Sequence, residues 1–187
     1  MSEGRAMVTG SRFWDDVWAV KSALDREVEA AQRAGYAEFM LRHGACYPPP
    51  GDNGNRPWRS ADYLAHLWFA KYGLQLPLPF MVEQEFFAEW GAACRPACQQ
   101  RTRRGRHTDH RITRADGSTY CPAAGKYRNT AMALEDPRAT KGVAFHRDNS
   151  GGTGHCIRTM RELSIPVEVI PYAPGRPLPP RLEVAPT

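Results

Sequence analysis

The stretch that decides the fold is GVAFHRDNSGGTGHCIRTMREL, residues 142–163. It opens on residues 142–145, an uninterrupted apolar run that is typical of a strand buried on both faces of a parallel sheet. It closes on Ile157, Met160 and Leu163, which recur at the spacing of one helix face. Between them lies a glycine turn of four residues: Ser150, Gly151, Gly152 and Thr153. The segment therefore predicts a strand, a turn and a helix in direct succession.

Strand and helix patterns alternate along the rest of the chain. Short apolar runs predict strands at residues 6–9, 39–41, 74–82, 142–145 and 166–170. Helical periodicity predicts helices at residues 15–34, 61–72, 83–90 and 123–134, besides the one after the glycine turn. For the second helix, Ser60 is the predicted N-cap and Gly73 the predicted C-terminal cap. This alternation predicts an α/β fold, a Rossmann-like parallel sheet of about five strands with helices on both faces.

We expect one domain over residues 1–172, interrupted by two insertions. The first insertion, residues 46–58, is rich in Pro, Gly and Asn and is predicted to be a surface loop. The second, residues 94–121, is rich in Arg, Gly, Thr and Asp and has no periodicity. Residues 173–187 are predicted to form an extended, Pro-rich tail.

The composition is that of an ordinary globular domain, with 42% hydrophobic and 24% charged residues among 187. No apolar run is as long as a membrane span, and the N-terminal residues do not resemble a signal peptide. We therefore expect a cytoplasmic protein without a membrane partner. The Arg-, Ala- and Pro-rich usage suits a GC-rich genome, actinobacterial or phage.

The net charge of +5 is unevenly distributed along the chain. Six arginines fall within residues 101–114, where they would attract an anion or nucleic acid.

Three predicted loops fall at the edge of the sheet where ligands bind in open parallel folds, beyond the carboxyl ends of the strands. They are residues 10–12, 43–45 and 148–153, the last containing the glycine turn. Glycines let a backbone approach a ligand closely, and the following helix offers unpaired amides and a positive dipole end. Two interpretations stay open: a cradle for phosphate, or a plain connection in which Thr153 caps the helix.

Four segments in a fixed order carry a resemblance to a known family. They are VTGSRFW from Val8, SADYLAHLWFAKYG from Ser60, AAGKYRNTAM from Ala123 and GVAFHRDNSGGTGHCIRTMRELSIPVEV from Gly142. Together they resemble the YspA/YpsA-like branch of the SLOG superfamily, which groups Rossmannoid domains of DNA-processing proteins and of LOG-type enzymes. The resemblance covers most of the chain apart from the two insertions and the tail.

The resemblance implies a pocket for a nucleotide or a nucleotide-derived ligand, formed by three turns. Carried over by matching position, the candidate ligand-binding residues are Gly10, Ser11, Arg12, Gly44, Asp62, Arg128, Asn129, Ser150, Gly151, Gly152 and Thr153. Arg12 and Arg128 would each hold a phosphate through a two-pronged contact, and Asp62 would accept from ribose hydroxyls. The first insertion separates Gly44 from Asp62, which the simplest family members place close together.

The chain departs from the LOG-type pattern directly after the glycine turn. LOG-type phosphoribohydrolases carry GT-x-E-E, whose carboxylates serve cleavage of the base–ribose bond, whereas this chain has His155 and Cys156 at the two glutamate positions. We therefore expect it to hold its ligand as a sensor, carrier or sequestering protein. Two alternatives stay open: hydrolysis of a nucleotide N-glycosidic bond, and binding of single-stranded nucleic acid through residues 101–114.

The cysteines allow a second kind of site. Five cysteines are an odd number, which does not predict a disulfide framework. The candidate ligands of a structural zinc ion are Cys94, Cys98, His107 and Cys121, with His110 as the alternative to His107. Such a Cys3His set suits tetrahedral zinc, although unpaired thiols in an arginine-rich loop are the other interpretation. Cys46 and Cys156 are expected to be free thiols, and formation of a homo-oligomer stays open.

Overall fold

The structure is a computed structural model that describes residues 3–46, 60–77, 79–86, 111–113, 117, 119–121 and 123–173. Its strands are β1 (Gly4–Gly10), β2 (Glu38–His43), β3 (Met81–Phe86), β4 (Ile112–Thr113), β5 (Thr119–Tyr120), β6 (Lys141–His146) and β7 (Val167–Pro171). Its α-helices are α1 (Val17–Arg33), α2 (Ala61–Lys71), α3 (Ala124–Leu134) and α4 (Gly151–Glu162).

Five strands form one parallel sheet in the order β3-β2-β1-β6-β7, while β4 and β5 pair as a separate antiparallel ribbon. Helices α1 and α2 pack together on one face of the sheet, and α3 and α4 on the other. The predicted Rossmann-like α/β fold is confirmed. The order reverses at β1, because β2 and β3 add on one side of it and β6 and β7 on the other. A crevice at such a reversal is the usual place for a ligand.

Strand β1 lies at the centre and divides the core in two. Ala6 and Val8 belong to the cluster beneath α1 and α2, whereas Met7 belongs to the cluster beneath α3 and α4. This is the alternation of a strand that is covered on both faces. Helix α1 presents Val20 and Leu24 to the first cluster, so its apolar stripe fixes it against the sheet.

The segment from residue 73 to residue 90 differs from the prediction. Residues 73–75 form a short 3-10 turn and β3 begins only at Met81, so the strand predicted at 74–82 is wrong over most of its length. The helix predicted at 83–90 is wrong at 83–86, which continue β3, and 87–90 lie outside the described residues. The reason is parallel pairing with β2, from Glu38–Met81 to His43–Phe86, which overrides the helix propensity of Glu and Gln.

The predicted helix caps have different outcomes. The Ser60 Oγ accepts from the amide of Tyr63 at 3.0 Å, so Ser60 is confirmed as the N-cap of α2. The C-cap is Tyr72 rather than Gly73, because Gly73 continues into the 3-10 turn. The alternative in which Thr153 caps α4 is wrong, since the helix begins at Gly151 and Thr153 lies in its first turn.

Arg42 is a fully buried cation that the sequence patterns did not single out. From β2 it donates to the carbonyl oxygens of Met132 at 2.8 Å and Glu135 at 3.1 Å, at the end of α3. A third carbonyl, that of Pro137, accepts at 3.0 Å, and the carboxylate of Glu85 accepts from Nε. Arg42 thus satisfies carbonyls at the C-terminus of a helix, where a positive charge is favoured, and ties α3 to the sheet.

Several predicted segments lie outside the described residues. These are most of the insertion 46–58, most of residues 94–121, and the tail from 174 onward. The predicted domain boundaries therefore stay predictions. Among the helices of the described part of the chain, none combines the length and apolarity that a bilayer-spanning helix needs.

Replacing Arg42 by Met should lower the free energy of unfolding by about 3 to 5 kcal/mol, because it leaves buried carbonyls without their donor and removes one of the two arginines that pair with Glu85. The matched control is Arg26→Met, which removes an exposed ion pair with Glu168 and should cost less than about 1 kcal/mol. Urea denaturation followed by circular dichroism measures both. Equal, small losses in the two variants would contradict the structural role of Arg42.

Candidate functional site

A cavity of about 480 Å³ lies in the crevice where the strand order reverses, a size typical of small-molecule sites. It is formed by the end of β1, the loops that follow β1 and β6, the starts of α2 and α4, and the first turns of α3. Its lining residues are Thr9, Gly10, Ser11, Arg12, Phe13, Cys46, Asp62, Gly125, Lys126, Arg128, Asn129, Arg147, Asp148, Ser150, Gly152 and Thr153. Nine of the eleven predicted ligand-binding residues are among them; Gly44 and Gly151 are not.

The end of β1 is tied to both of its neighbours. A Cβ at Gly10 would lie 2.3 Å from the Cβ of Ala61 and 2.9 Å from that of Phe145, so only glycine allows α2 to approach here. The Ser11 amide donates to the carbonyl of Phe145 at 3.0 Å, and the Ser11 carbonyl accepts from the amide of Ala61 at 3.3 Å. Both residues line the cavity, and their contacts also fix the positions of β6 and α2 around it.

The glycine turn brings the N-terminus of α4 to the cavity. Asp148 and Asn149 have left-handed backbones, with φ of 52° and 50°, a conformation that Asp and Asn tolerate better than most residues. They reverse the chain after β6, and α4 then begins with Gly151 and Gly152. The amides of the first helical turn have no acceptor within the helix, and Gly152 and Thr153 line the cavity. This end of α4 is therefore suited to an anion.

Helix α3 contributes Arg128 and Asn129, as predicted. Arg128 Nη1 donates to the carbonyl of Gly44 at 2.7 Å, and a Cβ at Gly44 would lie only 2.7 Å from the guanidinium. Gly44 therefore supports the site from behind Arg128 instead of lining it. The buried Asn129 donates to the carbonyl of Gly152 at 3.1 Å, so α3 and the start of α4 are held together.

Asp62 joins the described residues on the two sides of the first insertion. Asp62 is buried at the start of α2, and its Oδ2 accepts from the amide of Cys46 at 2.9 Å, which joins the loop after β2 to α2. Burial, and next the Asp62 carboxylate, raise the pKa of the Cys46 thiol, while Arg12 and Arg128 act in the opposite direction. This thiol is thus neutral at physiological pH.

Several lining residues were not predicted, and two of them are basic. Lys126 precedes the predicted RN pair on α3, and Arg147 follows β6. Together with Arg12 and Arg128 they give the lining four cationic side chains, against the carboxylates of Asp62 and Asp148. Lys126 lies three residues before Asn129, so the two share one face of the helix. This spacing could have identified Lys126 from the sequence. The positive side chains and the helix N-terminus together favour an anionic ligand.

Other predicted residues have no place in the cavity lining. His155 is half-buried on α4, and burial, then Lys126 and Arg158, lower the pKa of its imidazole. Burial raises the pKa of the Cys156 thiol to about 12. Trp14, in the segment that begins at Val8, is fully buried and packs against Phe145 with ring centroids 5.2 Å apart.

The zinc prediction falls mainly outside the described residues. Cys94, Cys98, His107 and His110 lie there, and Cys121 is buried beside Ala124. Within the described ranges no group of three metal-ligating side chains is present. Zinc therefore stays a prediction, as does the role of the basic stretch 101–114, of which the structure describes only residues 111–113. Cys46 and Cys156 are free thiols within the described part of the chain.

Comparisons with protein-family models, with curated proteins and with solved structures find no match to this chain.

His43, at the end of β2, lies buried behind the cavity wall. Its Nδ1 accepts from the amide of Ala45 at 3.2 Å, which leaves the ring proton on Nε2, 3.3 Å from the Oε1 of Gln84. Burial lowers the pKa of His43 below its ordinary value of 6.5, although Asp62 and Gln84 act to raise it. Protonation would also remove the acceptor of the Ala45 amide.

This lowered pKa predicts a pH-dependent stability. The unfolded chain takes up a proton on His43 as the pH falls through about 6.5, while the folded chain resists it, so stability is lost toward acid. We expect a smaller free energy of unfolding at about pH 5.5 than at about pH 7.5 in urea denaturation. The His43→Gln variant should show a smaller difference between the two pH values. An undiminished difference in that variant would assign the effect to other groups.

Proposed function

We propose that this chain binds a nucleotide or a nucleotide-derived ligand in the cavity beyond the carboxyl ends of β1 and β6, with a phosphate at the N-terminus of α4. It would act as a sensor, carrier or sequestering protein. One observation carries the proposal: a helix N-terminus and four basic side chains line the same cavity at the point where the strand order reverses. The proposal agrees with the resemblance to the SLOG superfamily, which implies a pocket from the same three loops.

The phosphate would lie against the first turn of α4. The amides of Gly152 and Thr153 offer donors there, and the Thr153 hydroxyl, now 3.1 Å from the Ser150 hydroxyl, is a further donor. An added Cβ at Gly152 would meet no atom within 4 Å, so the backbone is accessible to a ligand on this side. Lys126 and Arg128 supply the charge that charge-assisted hydrogen bonds to phosphate need.

The carboxylates of the cavity lining favour binding over cleavage of an N-glycosidic bond, because both are engaged with protein groups. In glycoside hydrolysis, two carboxyl groups flank the bond that is broken. Of the carboxylates in the lining, that of Asp62 accepts from the Cys46 amide, and that of Asp148 is paired with Arg147 at 2.9 Å. The two glutamate positions of the LOG pattern hold His155 and Cys156, which do not line the cavity.

Gly152→Ala should weaken the binding of AMP, ADP or ADP-ribose, measured by isothermal titration calorimetry, by at least about tenfold, or about 1.4 kcal/mol. The added methyl group occupies the space through which a phosphate reaches the helix amides. The fold should not suffer, because alanine is the better helix former by up to about 1 kcal/mol.

Gly151→Ala is the matched control. Gly151 is the neighbouring residue of the same helical turn, its added Cβ also meets nothing within 4 Å, and it does not line the cavity. This variant should bind as the unmodified chain does. If none of the three compounds binds the unmodified chain, the proposal fails. If free base is released from them, the chain is a hydrolase and the restriction to binding is wrong.

A further inference from the structure

Phe13 is an exposed aromatic side chain in the cavity lining. It follows Arg12 in the loop between β1 and α1, and 48% of its surface is exposed, although the residue after it, Trp14, is fully buried in the core. Single exposed apolar residues are common on protein surfaces. Phe13 differs from them because it is one of the residues that line a concave site, together with four cationic residues.

The backbone of Phe13 is held from both sides. Its amide donates to the Oγ of Ser11 at 3.2 Å, and its carbonyl accepts from Nη1 of Arg147 at 2.6 Å. Ser11 is itself buried, and the Trp14 side chain anchors the chain immediately after the loop. The ring is therefore carried by a backbone segment that is fixed on both sides.

The guanidinium of Arg147 is itself held in place by Tyr172 and Asp15. Its guanidinium lies 3.9 Å from the ring centre of Tyr172 and 3.6 Å from the carboxylate of Asp15, whose Oδ1 also accepts from the Tyr172 hydroxyl at 2.9 Å. These contacts join the loop after β1 to the loop after β6. Arg147 thus acts as a positioning residue for Phe13, and part of its charge is used by Asp15 and Asp148.

We infer that Phe13 stacks on the nucleobase of the ligand, so that the site selects an aromatic nucleoside phosphate over a bare sugar phosphate. The inference rests on the proposed function, in which the N-terminus of α4 holds the phosphate. Phe13 would then contact the base, the part of the ligand at the other end. A base has an apolar π-face that suits an exposed phenyl ring, and every base offers such a face. The basic side chains and the end of α4 remain for the phosphate.

The test compares two kinds of probe by isothermal titration calorimetry: the four ribonucleoside 5′-monophosphates, and ribose 5-phosphate, which has the sugar and phosphate without the base. In the unmodified chain the best nucleotide should bind about ten- to a hundredfold more tightly than ribose 5-phosphate. Phe13→Leu should remove most of this difference while leaving the affinity for ribose 5-phosphate unchanged.

The control variant is Trp18→Leu. Trp18 is on α1, is 43% exposed and does not line the cavity, so its replacement should change neither affinity.

Equal affinities of nucleotides and ribose 5-phosphate, or an undiminished preference in Phe13→Leu, would overturn the inference and leave the proposed function standing. A change of oligomeric state in Phe13→Leu without a change in nucleotide affinity would assign Phe13 to a protein contact and overturn it too. If no phosphate compound binds at all, the proposed function fails and the inference fails with it.

Discussion

The close contact of Gly10 with Ala61 and Phe145 is the constraint on which the site depends. With no side chain at Gly10, the start of α2 packs directly on the end of β1, where an added Cβ would lie 2.3 Å from that of Ala61. The neighbouring Ser11 bonds to the carbonyl of Phe145 and to the amide of Ala61. Three elements are thereby fixed at one point of the sheet edge, and the loops that follow β1 and β6 must line the same crevice.

Buried polar groups hold the rest of the arrangement around this point. Arg42 fixes the end of α3 to β2, and Asn129 fixes the start of α3 to the start of α4. Asp62 fixes the loop after β2 to α2. Each interaction joins a buried side chain to a backbone group of another segment, which makes the geometry specific. The side chains that line the cavity are thus presented by a rigid frame, as tight binding requires.

The sequence predicted the fold because buried parallel strands and amphipathic helices leave strong local patterns, as at residues 142–163. It also identified the glycine turn and Arg128. It failed at Glu83–Phe86 because the state of that segment depends on pairing with β2, a contact that local periodicity does not contain. Phe13 and Arg147 were missed for a similar reason. Their place in the cavity follows from the meeting of two loops that lie 134 residues apart in the chain.

The proposed function requires that a phosphate bind at the N-terminus of α4. It is tested most directly by titrating ¹⁵N-labelled protein with the tightest-binding ribonucleoside 5′-monophosphate and following the amide resonances by NMR. We expect saturable shifts that are largest at Gly152 and Thr153 and that extend to Ser11 and Asn129. Saturable shifts that leave the first turn of α4 unchanged and map to another surface would contradict it.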